Sequence, residues 1–339
     1  DFCLSRGLGD VYKRQMKGGM RHVEITAKTG ETAVKTEKRP TGLQAVKRDK
    51  WLYLLLVPGV LYFLIFKYWP MWGVFIAFKD YSPYLGFWQS EWVGFEYFKD
   101  FFMNPDFFRL LRNTLMLAAL DLIFAFPAPL IVALMLNELR HAIYKRCIQT
   151  FIYVPHFVSW TIVVSMTFVF FTVDTGVMNK MLQSITGQEI AFLSDPEWFR
   201  PMIVLQSIWK ETGWGTILFL AALASVDQEQ YEAAVMDGAG RLRRMWHITL
   251  PAIRSTIVVL LILRIGSFLN IGFEQIFLMT NSLNRSVAEI FDTYVYVVGI
   301  TQGAYSYSTA VGLFKSVVGI ILIFGANYIA KKFDQDGLF

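Results

Sequence analysis

The sequence predicts an all-α polytopic membrane protein with six transmembrane helices. Of its 339 residues, 55% are hydrophobic and only 17% are charged, and the mean hydropathy is +0.41. Several apolar runs exceed the roughly 18 residues that mark a membrane helix. The net charge of +5 does not indicate a nucleic-acid partner, because the basic residues cluster beside the apolar runs. Cys3 and Cys147 form neither a metal-ligand spacing nor a disulfide framework.

Two polar segments precede the first apolar run. Residues 1–15 match nothing that follows and resemble a translated sequencing adapter, so they are predicted to be non-native and Met16 or Met20 is the expected start. Residues 16–50 are rich in Lys, Thr and Glu without an apolar period. This composition is typical of a disordered tail, which we place in the cytoplasm.

The predicted spans are segments of apolar sequence separated by polar loops. They cover residues 51–77, 110–136, 148–172, 202–226, 253–279 and 309–330. Basic residues stand before the first span and after the second, fourth and sixth: Lys47, Arg48, Lys50, Arg140, Lys145, Arg146, Arg241, Arg243, Arg244, Lys331 and Lys332. Because such residues favour the inner side, both termini are predicted to be cytoplasmic. Residues 332–339 then form a cytoplasmic tail.

Charged side chains within the spans are the first candidates for function. They are Asp121, Lys210, Glu211, Arg264, Glu274 and Lys315. A lone charge at mid-bilayer costs roughly 3 kcal/mol on insertion scales, and three acids with three bases would permit complete pairing. Internal ion pairs are one interpretation, favoured equally with function for Asp121, Arg264 and Lys315. A polar pathway is the other, and its predicted lining is Trp160, Trp214, Asn270, Glu274 and Gln275.

The loop of residues 227–251 is a polar, basic island between the fourth and fifth spans. It contains EAAVMDGAGRLRRMWHITLP, whose small side chains would let another protein approach closely. The sequence carries no zinc triad, nucleophile elbow or phosphate-binding loop, and His156 has no visible catalytic partner. An enzyme is therefore not predicted. Energy for transport would have to come from an ion gradient or from a partner protein.

This loop resembles the EAA---G---------I-LP motif of type I ABC importer permeases. The matching residues are Glu232, Ala233, Ala234, Gly238, Ile248, Leu250 and Pro251. The resemblance implies a type I permease fold with a five-helix core at residues 109–331, preceded by the first helix and an external loop at 51–108. It also implies that the loop carries a coupling helix that docks on an ATPase. The docking residues would be Glu232, Ala233, Ala234, Asp237, Gly238, Ala239, Leu250 and Pro251.

The segments YWPMWGVFIAFKDYSPYLGFW, WVGFEYF, FLNIGFEQIFLM and DTYVYVVGI resemble the polysaccharide and oligosaccharide permeases of the lipoprotein-associated type. This implies a carbohydrate importer in the bacterial cytoplasmic membrane. Its other parts would be a second homologous permease, two ATPase subunits and an extracellular, periplasmic or lipid-anchored solute-binding protein. The chain itself would bind no cofactor and no metal, since the partner ATPase uses ATP and Mg²⁺.

An alternative function is an ion-coupled secondary transporter or a channel. Asp121, Glu211 and Glu274 would then relay ions or protons, but the loop of residues 227–251 would have no purpose. A neighbouring gene for a solute-binding protein would favour the importer. Loss of uptake with an uncoupler at high ATP would favour the alternative. A membrane receptor or scaffold is a third possibility, but it would not need polar residues in several spans.

Overall fold

The computed structural model of this chain describes residues 50–139 and 141–332. The predicted adapter-like segment 1–15, the predicted tail up to residue 49, Arg140 and residues 333–339 lie outside them. The chain divides into two units, Asp1–Met71 and Trp72–Phe339.

The described part of the first unit is helical. Helix α1 (Lys50–Phe63) is followed by a π-helical turn, Leu64–Tyr68, and a 3₁₀ helix, Trp69–Phe78, begins near the end of this unit. Pro70, which has no N–H to donate, is the second residue of the 3₁₀ helix and stands where the helix type changes. These segments together are long and apolar enough to cross a membrane, and they match the first predicted span.

The second unit begins with a small hairpin. Strands β1 (Lys79–Asp80) and β2 (Glu91–Trp92) pair antiparallel. The Lys79 Nζ closes the intervening loop by donating to the Phe87 carbonyl at 2.7 Å. The Tyr97 hydroxyl donates to Asp80 at 2.6 Å, and partial burial together with Asp80 raises the pKa of Tyr97.

The remaining helices of the described chain follow in order. They are α2 (Gly86–Gln89), α3 (Glu96–Met103), α4 (Phe107–Leu120), α5 (Pro127–Asn137), α6 (Ala142–Tyr153), α7 (Trp160–Phe171), α8 (Val177–Thr186), α9 (Pro196–Ala224), α10 (Gln228–Met236), α11 (Arg241–Arg244), α12 (Leu250–Ala252), α13 (Arg254–Gly266), α14 (Phe273–Met279), α15 (Arg285–Ala288), α16 (Phe291–Tyr296) and α17 (Tyr305–Lys332). Short π-helical turns cover Asp121–Ala125, Met245–Thr249 and Val297–Thr301, and Val154–Phe157 is a 3₁₀ turn.

Three stretches of the described chain are long and apolar enough to cross a membrane: Lys50–Phe78, Phe107–Asn137 and Tyr305–Lys332. Two bent helix pairs raise the number to five if each pair is one span. The predicted fourth span is the continuous 29-residue helix α9, which carries polar and charged residues.

The predicted third span is bent rather than straight. Its two helical parts, Ala142–Phe157 and Trp160–Phe171, meet at 98°. Pro155 interrupts the α-helix in a 3₁₀ turn, and Ser159 caps the new helix by accepting from the Ile162 N–H at 3.3 Å. The two parts differ in polarity, since α6 carries Lys145 and Arg146 whereas α7 carries no charged residue.

The predicted fifth span is broken. Helix α13 ends at Gly266, and α14 begins only after Gly272. The backbone of Gly272 has a φ of +34°, in a region that L-residues with a side chain rarely adopt. The segment between the two helices carries Ser267 and Asn270, and it opens a polar break inside an apolar stretch.

Buried side chains join these helices in three clusters. The first brings together Leu117, Val164, Ile203 and Ile276 from α4, α7, α9 and α14. Phe101, Phe107, Phe291 and Val311 form the second, which packs α3 and α4 against α16 and α17. Ala133, Phe219, Leu223 and Ile253 form the third, which holds α5, α9 and the start of α13 together. The first cluster lies beside the break, and the third lies beneath the loop of residues 227–251.

Candidate functional site

The loop of residues 227–251 contains a short helix with well-defined ends. At the start of α10, the Asp227 carboxylate accepts from the Glu229 N–H at 3.0 Å. At its end, the Ala239 N–H donates to the Ala234 carbonyl at 2.8 Å and the Gly238 N–H donates to the Val235 carbonyl at 3.0 Å. This is a Schellman motif, which requires a left-handed residue. Gly238 provides it, with a φ of +75°.

Helix α10 presents its side chains outward. It buries none of its residues, and Met236 is 87% exposed. Of the predicted docking residues, Ala234, Ala239 and Leu250 are half-buried, and the others are exposed: Glu232, Ala233, Asp237, Gly238 and Pro251. Glu232 has no hydrogen bond or ion pair with any described residue. Six of the predicted docking residues thus lie on α10 and the turn that follows it, whereas Leu250 and Pro251 lie on α12.

Both ends of the loop are fixed to the membrane helices. The Tyr231 and Thr249 hydroxyls are 2.9 Å apart, and Thr249 is 3% exposed. Tyr231 and Ile248 pack against the third cluster. Pro251 lies in the first turn of the three-residue helix α12, where proline is tolerated. Helix α10 is therefore exposed, while Tyr231, Ile248 and Thr249 attach the loop to buried parts of the protein.

A polar cavity of about 200 Å³ lies at the break in the fifth span. Its polar and aromatic lining comes from the turn Asp121–Ala125, from α7, α9, α13 and α14, and from the break between the last two: Asp121, Trp160, Ser207, Glu211, Arg264, Ser267, Phe268, Asn270 and Gln275. Of the five predicted pathway residues, Trp160, Asn270 and Gln275 line this cavity. Trp214 and Glu274 lie outside its lining. Sequence reasoning missed Ser207, because a serine inside a span carries no signal of its own.

An ion pair crosses this cavity. Arg264 holds Asp121 with two hydrogen bonds, Nε to Oδ2 at 2.7 Å and Nη2 to Oδ1 at 2.5 Å. Two parallel bonds of this kind are the geometry that arginine and carboxylate favour. The predicted internal pairing is present for these two residues, which lie 143 positions apart.

Of the other four charges within the predicted spans, two pair with each other and one pairs with a residue outside the spans. Lys210 is 3.4 Å from Glu211. Lys315 pairs with Asp292, which lies outside the predicted spans. Internal ion pairs are therefore present for Asp121, Arg264 and Lys315, although the six charges do not all pair with one another. Within the described chain, Glu274 has only a 3.5 Å contact from the Thr161 hydroxyl.

His156 belongs to a cluster that the sequence did not reveal. Its Nδ1 is 2.9 Å from the Glu211 carboxylate, and its ring stacks on Trp214 with centroids 4.6 Å apart. The Lys210 ammonium donates to the His156 carbonyl at 2.7 Å and lies 5.3 Å above the Trp160 ring. Trp214 therefore has one face covered by His156. These contacts join residues about 55 positions apart, so no local pattern predicts them.

The two amides at the break play different parts. Gln275 is 1% exposed, and its Nε2 donates at 2.9 Å to both the Ile203 carbonyl and Gln206 Oε1. Its Oε1 accepts from the Ser207 hydroxyl at 3.2 Å, so it holds α14 on α9. Asn270 is exposed, and its side chain makes no hydrogen bond within the described chain. Asn270 is thus the amide that remains able to bind a solute.

Metal binding finds no support in this arrangement. Among the residues that the structure describes, no group of three or more His, Cys, Asp or Glu side chains could hold a metal ion. The acidic side chains of the cavity face Arg264, Lys210 and His156 instead.

The sequence of this chain matches a known family. A family model described as "Binding-protein-dependent transport system inner membrane component" matches residues 125–335. The chain belongs to this family. The resemblance drawn from the EAA motif is thereby confirmed, and so is the type I permease fold.

Relatives of this permease match it over nearly their full length. It is 87% identical to Protein LplB of Bacillus subtilis (strain 168), over 88% of this chain and 93% of that protein. It is 55% identical to the polygalacturonan/rhamnogalacturonan transport system permease protein YteP of the same strain, over 94% of this chain and 100% of that protein. YteP is named as a transport system permease protein, and so is AraP of the same strain, at 28% identity over 84% of this chain and 90% of that protein. The expectation of a transport subunit and not an enzyme is thereby confirmed.

A solved structure has the same fold. One chain in the crystal structure of a bacterial alginate ABC transporter, in complex with an alginate pentasaccharide-bound periplasmic protein, has a TM-score of 0.80 and 39% identity with the permease. The match covers 87% of this chain and 99% of that one.

Proposed function

We propose that this permease is one of two membrane subunits of an ATP-driven importer for oligosaccharides. The observation that carries the proposal is helix α10, an exposed helix with an unpaired Glu232 and a glycine-terminated end. Such a surface suits docking, because Ala233 and Ala234 allow close approach and Glu232 can pair with a cation of the partner. The partner would be an ATPase subunit, which uses ATP and Mg²⁺ while this chain binds no cofactor.

The wider complex follows from this role. It would contain a second homologous permease, two ATPase subunits and an extracellular, periplasmic or lipid-anchored solute-binding protein. The alginate transporter of the solved structure is described in complex with a periplasmic protein, which supports the last of these partners.

Six spans with both termini in the cytoplasm give a consistent topology for the bacterial cytoplasmic membrane. The bent pair Ala142–Phe157 and Trp160–Phe171 would count as the third span, α9 would be the fourth despite its polar residues, and α13 with α14 would form the fifth. Residues 51–108 would supply the first span and an external loop, and residues 109–331 would form the core. The loop of residues 227–251 would then face the cytoplasm, where an ATPase can reach it.

Oligosaccharide is the substrate class that the cavity and the relatives favour. Trp160 offers an aromatic face for a sugar ring, and Asn270 and Ser207 offer hydrogen bonds for hydroxyl groups. Relatives are named for polygalacturonan/rhamnogalacturonan and for arabinooligosaccharides. The cavity would open to one side at a time as the ATPases close and reopen, a two-state rigid-body change.

The test is to replace the exposed acid of α10. Glu232→Lys should abolish co-purification of the ATPase and sugar uptake, because it places a cation where a cation is expected to bind. Gln230→Lys is the matched control, since two residues along a helix point to nearly opposite sides, and it should retain both activities. If the Glu232→Lys variant binds the ATPase and takes up sugar as well as the wild-type protein does, Glu232 has no role in docking.

The ion-coupled alternative is tested by measuring sugar uptake by the wild-type protein in the presence of an uncoupler. Uptake driven by ATP should persist when an uncoupler collapses the ion gradients and ATP is kept high. Loss of uptake under these conditions would favour a carboxylate relay through Asp121, Glu211 and Glu274.

A further inference from the structure

Four arginines gather where α4 and α9 begin. Arg109 and Arg112 lie in α4, Arg200 lies in α9 and Arg285 lies in α15. In the proposed topology this end of both helices faces outward, where arginine is uncommon. Their contacts with nearby carboxylates show which of them have a partner.

The two carboxylates of this region, Glu289 and Asp106, form ion pairs with Arg109 and Arg285. Glu289 is 4% exposed. One of its oxygens accepts from Arg109 at 2.6 Å and the other from Arg285 at 2.7 Å. These contacts raise the pKa of Arg285. Asp106 also pairs with Arg109, at 3.2 Å. Arg112 and Arg200 have no carboxylate partner within the described chain.

Arg200 is held in place by a neutral side chain. Its Nη2 donates to Asn113 Oδ1 at 3.1 Å. Asn113 is fully buried, and its own amide donates to the carbonyls of Ser286 at 3.0 Å and Glu289 at 3.1 Å. The Arg200 Nε is buried and has no hydrogen-bond acceptor. The guanidinium is therefore oriented but not neutralised.

Arg112 adds a second unpaired charge beside it. The Arg112 side chain is exposed and directly precedes Asn113, the residue that accepts from Arg200. Burial first, and the charge of Arg112 second, lower the pKa of Arg200. Two like charges without a counterion destabilise each other, and an anion between them would remove that repulsion while accepting several charged hydrogen bonds.

The position of Arg200 places such an anion on the route to the cavity. Arg200, Ser207 and Glu211 recur at seven and eleven residues, which puts them on one face of α9. Ser207 and Glu211 line the cavity. At a rise of 1.5 Å per residue, Arg200 is about 10 Å along the helix axis from Ser207. That separation is comparable to the length of two sugar rings.

We propose that Arg112 and Arg200 form a subsite for the carboxylate of an acidic sugar in the transported oligosaccharide. The proposal rests on the function proposed above and specifies its substrate class as uronate-containing chains. An acidic residue of the solute-binding protein could supply the same group. The sugar is favoured because Arg200 shares the α9 face that lines the cavity.

The test uses the complete importer in proteoliposomes, with its solute-binding protein saturated with substrate. Uptake of tri-galacturonate is compared with uptake of its carboxyl-reduced, neutral counterpart of the same length. Arg200→Gln and Arg112→Gln should each lower the ratio of acidic to neutral uptake roughly tenfold, as expected for losing a hydrogen bond to a charged group. Lys99→Gln, which removes an exposed charge from α3, should leave the ratio unchanged.

The possible outcomes distinguish a sugar-carboxylate subsite from a docking site for the solute-binding protein. A lowered ratio in both arginine variants, partly restored by Arg200→Lys, supports the subsite. Equal loss of acidic and neutral uptake, with weaker binding of the solute-binding protein, would overturn it in favour of protein docking. An unchanged ratio in Arg112→Gln, whose exposed side chain has no structural contact to lose, would also overturn it. Failure of the proposed function itself would look different, because the wild-type importer would then show no ATP-dependent uptake of either sugar.

Discussion

Substitutions at Gly238 distinguish the effect of backbone strain in the loop of residues 227–251 from the effect of a steric clash. A Cβ atom added at Gly238 would meet no other atom of the described chain within 4 Å, so no clash would follow. Its φ of +75° nevertheless costs an L-residue about 1–2 kcal/mol. The Gly238→Ala change therefore strains the end of helix α10 without filling any space in the chain.

The magnitude follows from that strain. A cost of about 1–2 kcal/mol changes an equilibrium about 5- to 30-fold, so the ATPase should bind the Gly238→Ala permease more weakly by this factor. Gly238→Asn should lose less, because asparagine enters the left-handed region more readily. Gly238→Trp should lose much more than alanine if the ATPase packs against the turn, since the indole would occupy the space of the partner.

The assay is a titration of purified ATPase subunit against the permease complex, with ATP hydrolysis stimulated by the solute-binding protein as a second readout. The matched control is Gly240→Ala. Gly240 has a φ of −66°, which any residue adopts, and its Cβ would also meet no atom within 4 Å. Equal affinities of Gly238→Ala and Gly240→Ala for the ATPase would refute the argument that the left-handed turn shapes the docking surface.

Three further predictions concern the contacts that hold the loop and the cavity. Asp121→Asn should lower the thermal midpoint in detergent by leaving Arg264 unpaired. The expected cost is about 1–2 kcal/mol, below that of a fully buried pair, because the Arg264 side chain is 47% exposed; exchange of the two residues should recover part of the loss. Gln275→Leu should destabilise the protein by about 1–3 kcal/mol, since it leaves buried groups without partners, and a thermal midpoint equal to wild type would contradict the role of Gln275 in holding α14. Tyr231→Phe removes the hydrogen bond to Thr249 but keeps the ring, so ATPase affinity should fall several-fold, and less than in Tyr231→Ala.

The sequence predicted the short helix and terminating turn of residues 227–251 because the information for them is local. The acid, the alanines and the glycine lie within seven residues, and a helix of that length needs only a cap and a stop signal. The left-handed φ of Gly238 is the backbone state that a terminating glycine predicts. Its use in docking remains a prediction.

The cavity was only partly predictable, since it is made by contacts between distant residues. Polarity indicated Trp160, Asn270 and Gln275. It could not show that the Gln275 side-chain amide forms hydrogen bonds with the neighbouring helix α9. Nor could it pair His156 with Glu211 or Lys315 with Asp292, because nothing in the linear order fixes which faces of the helices meet. The break between Gly266 and Phe273 was also missed. A window of mean hydropathy averages over a polar turn flanked by apolar helices.

Helix α13 connects the loop of residues 227–251 to the cavity, after a bend of 62° between Arg241–Ala252 and Arg254–Gly266. Thr249 is tied to Tyr231, and Ile253, 1% exposed, is anchored with Phe219 and Leu223 of α9. Helix α13 then runs from this anchor to Arg264, whose side chain holds Asp121 across the cavity. A displacement of α10 along this route would tilt α13 as one rigid piece, since a helix is stiff along its axis, and the turn after Gly266 would absorb the change without moving α14. A continuous fifth span would transmit the same displacement past the cavity, whereas a broken one concentrates it on the Asp121–Arg264 pair.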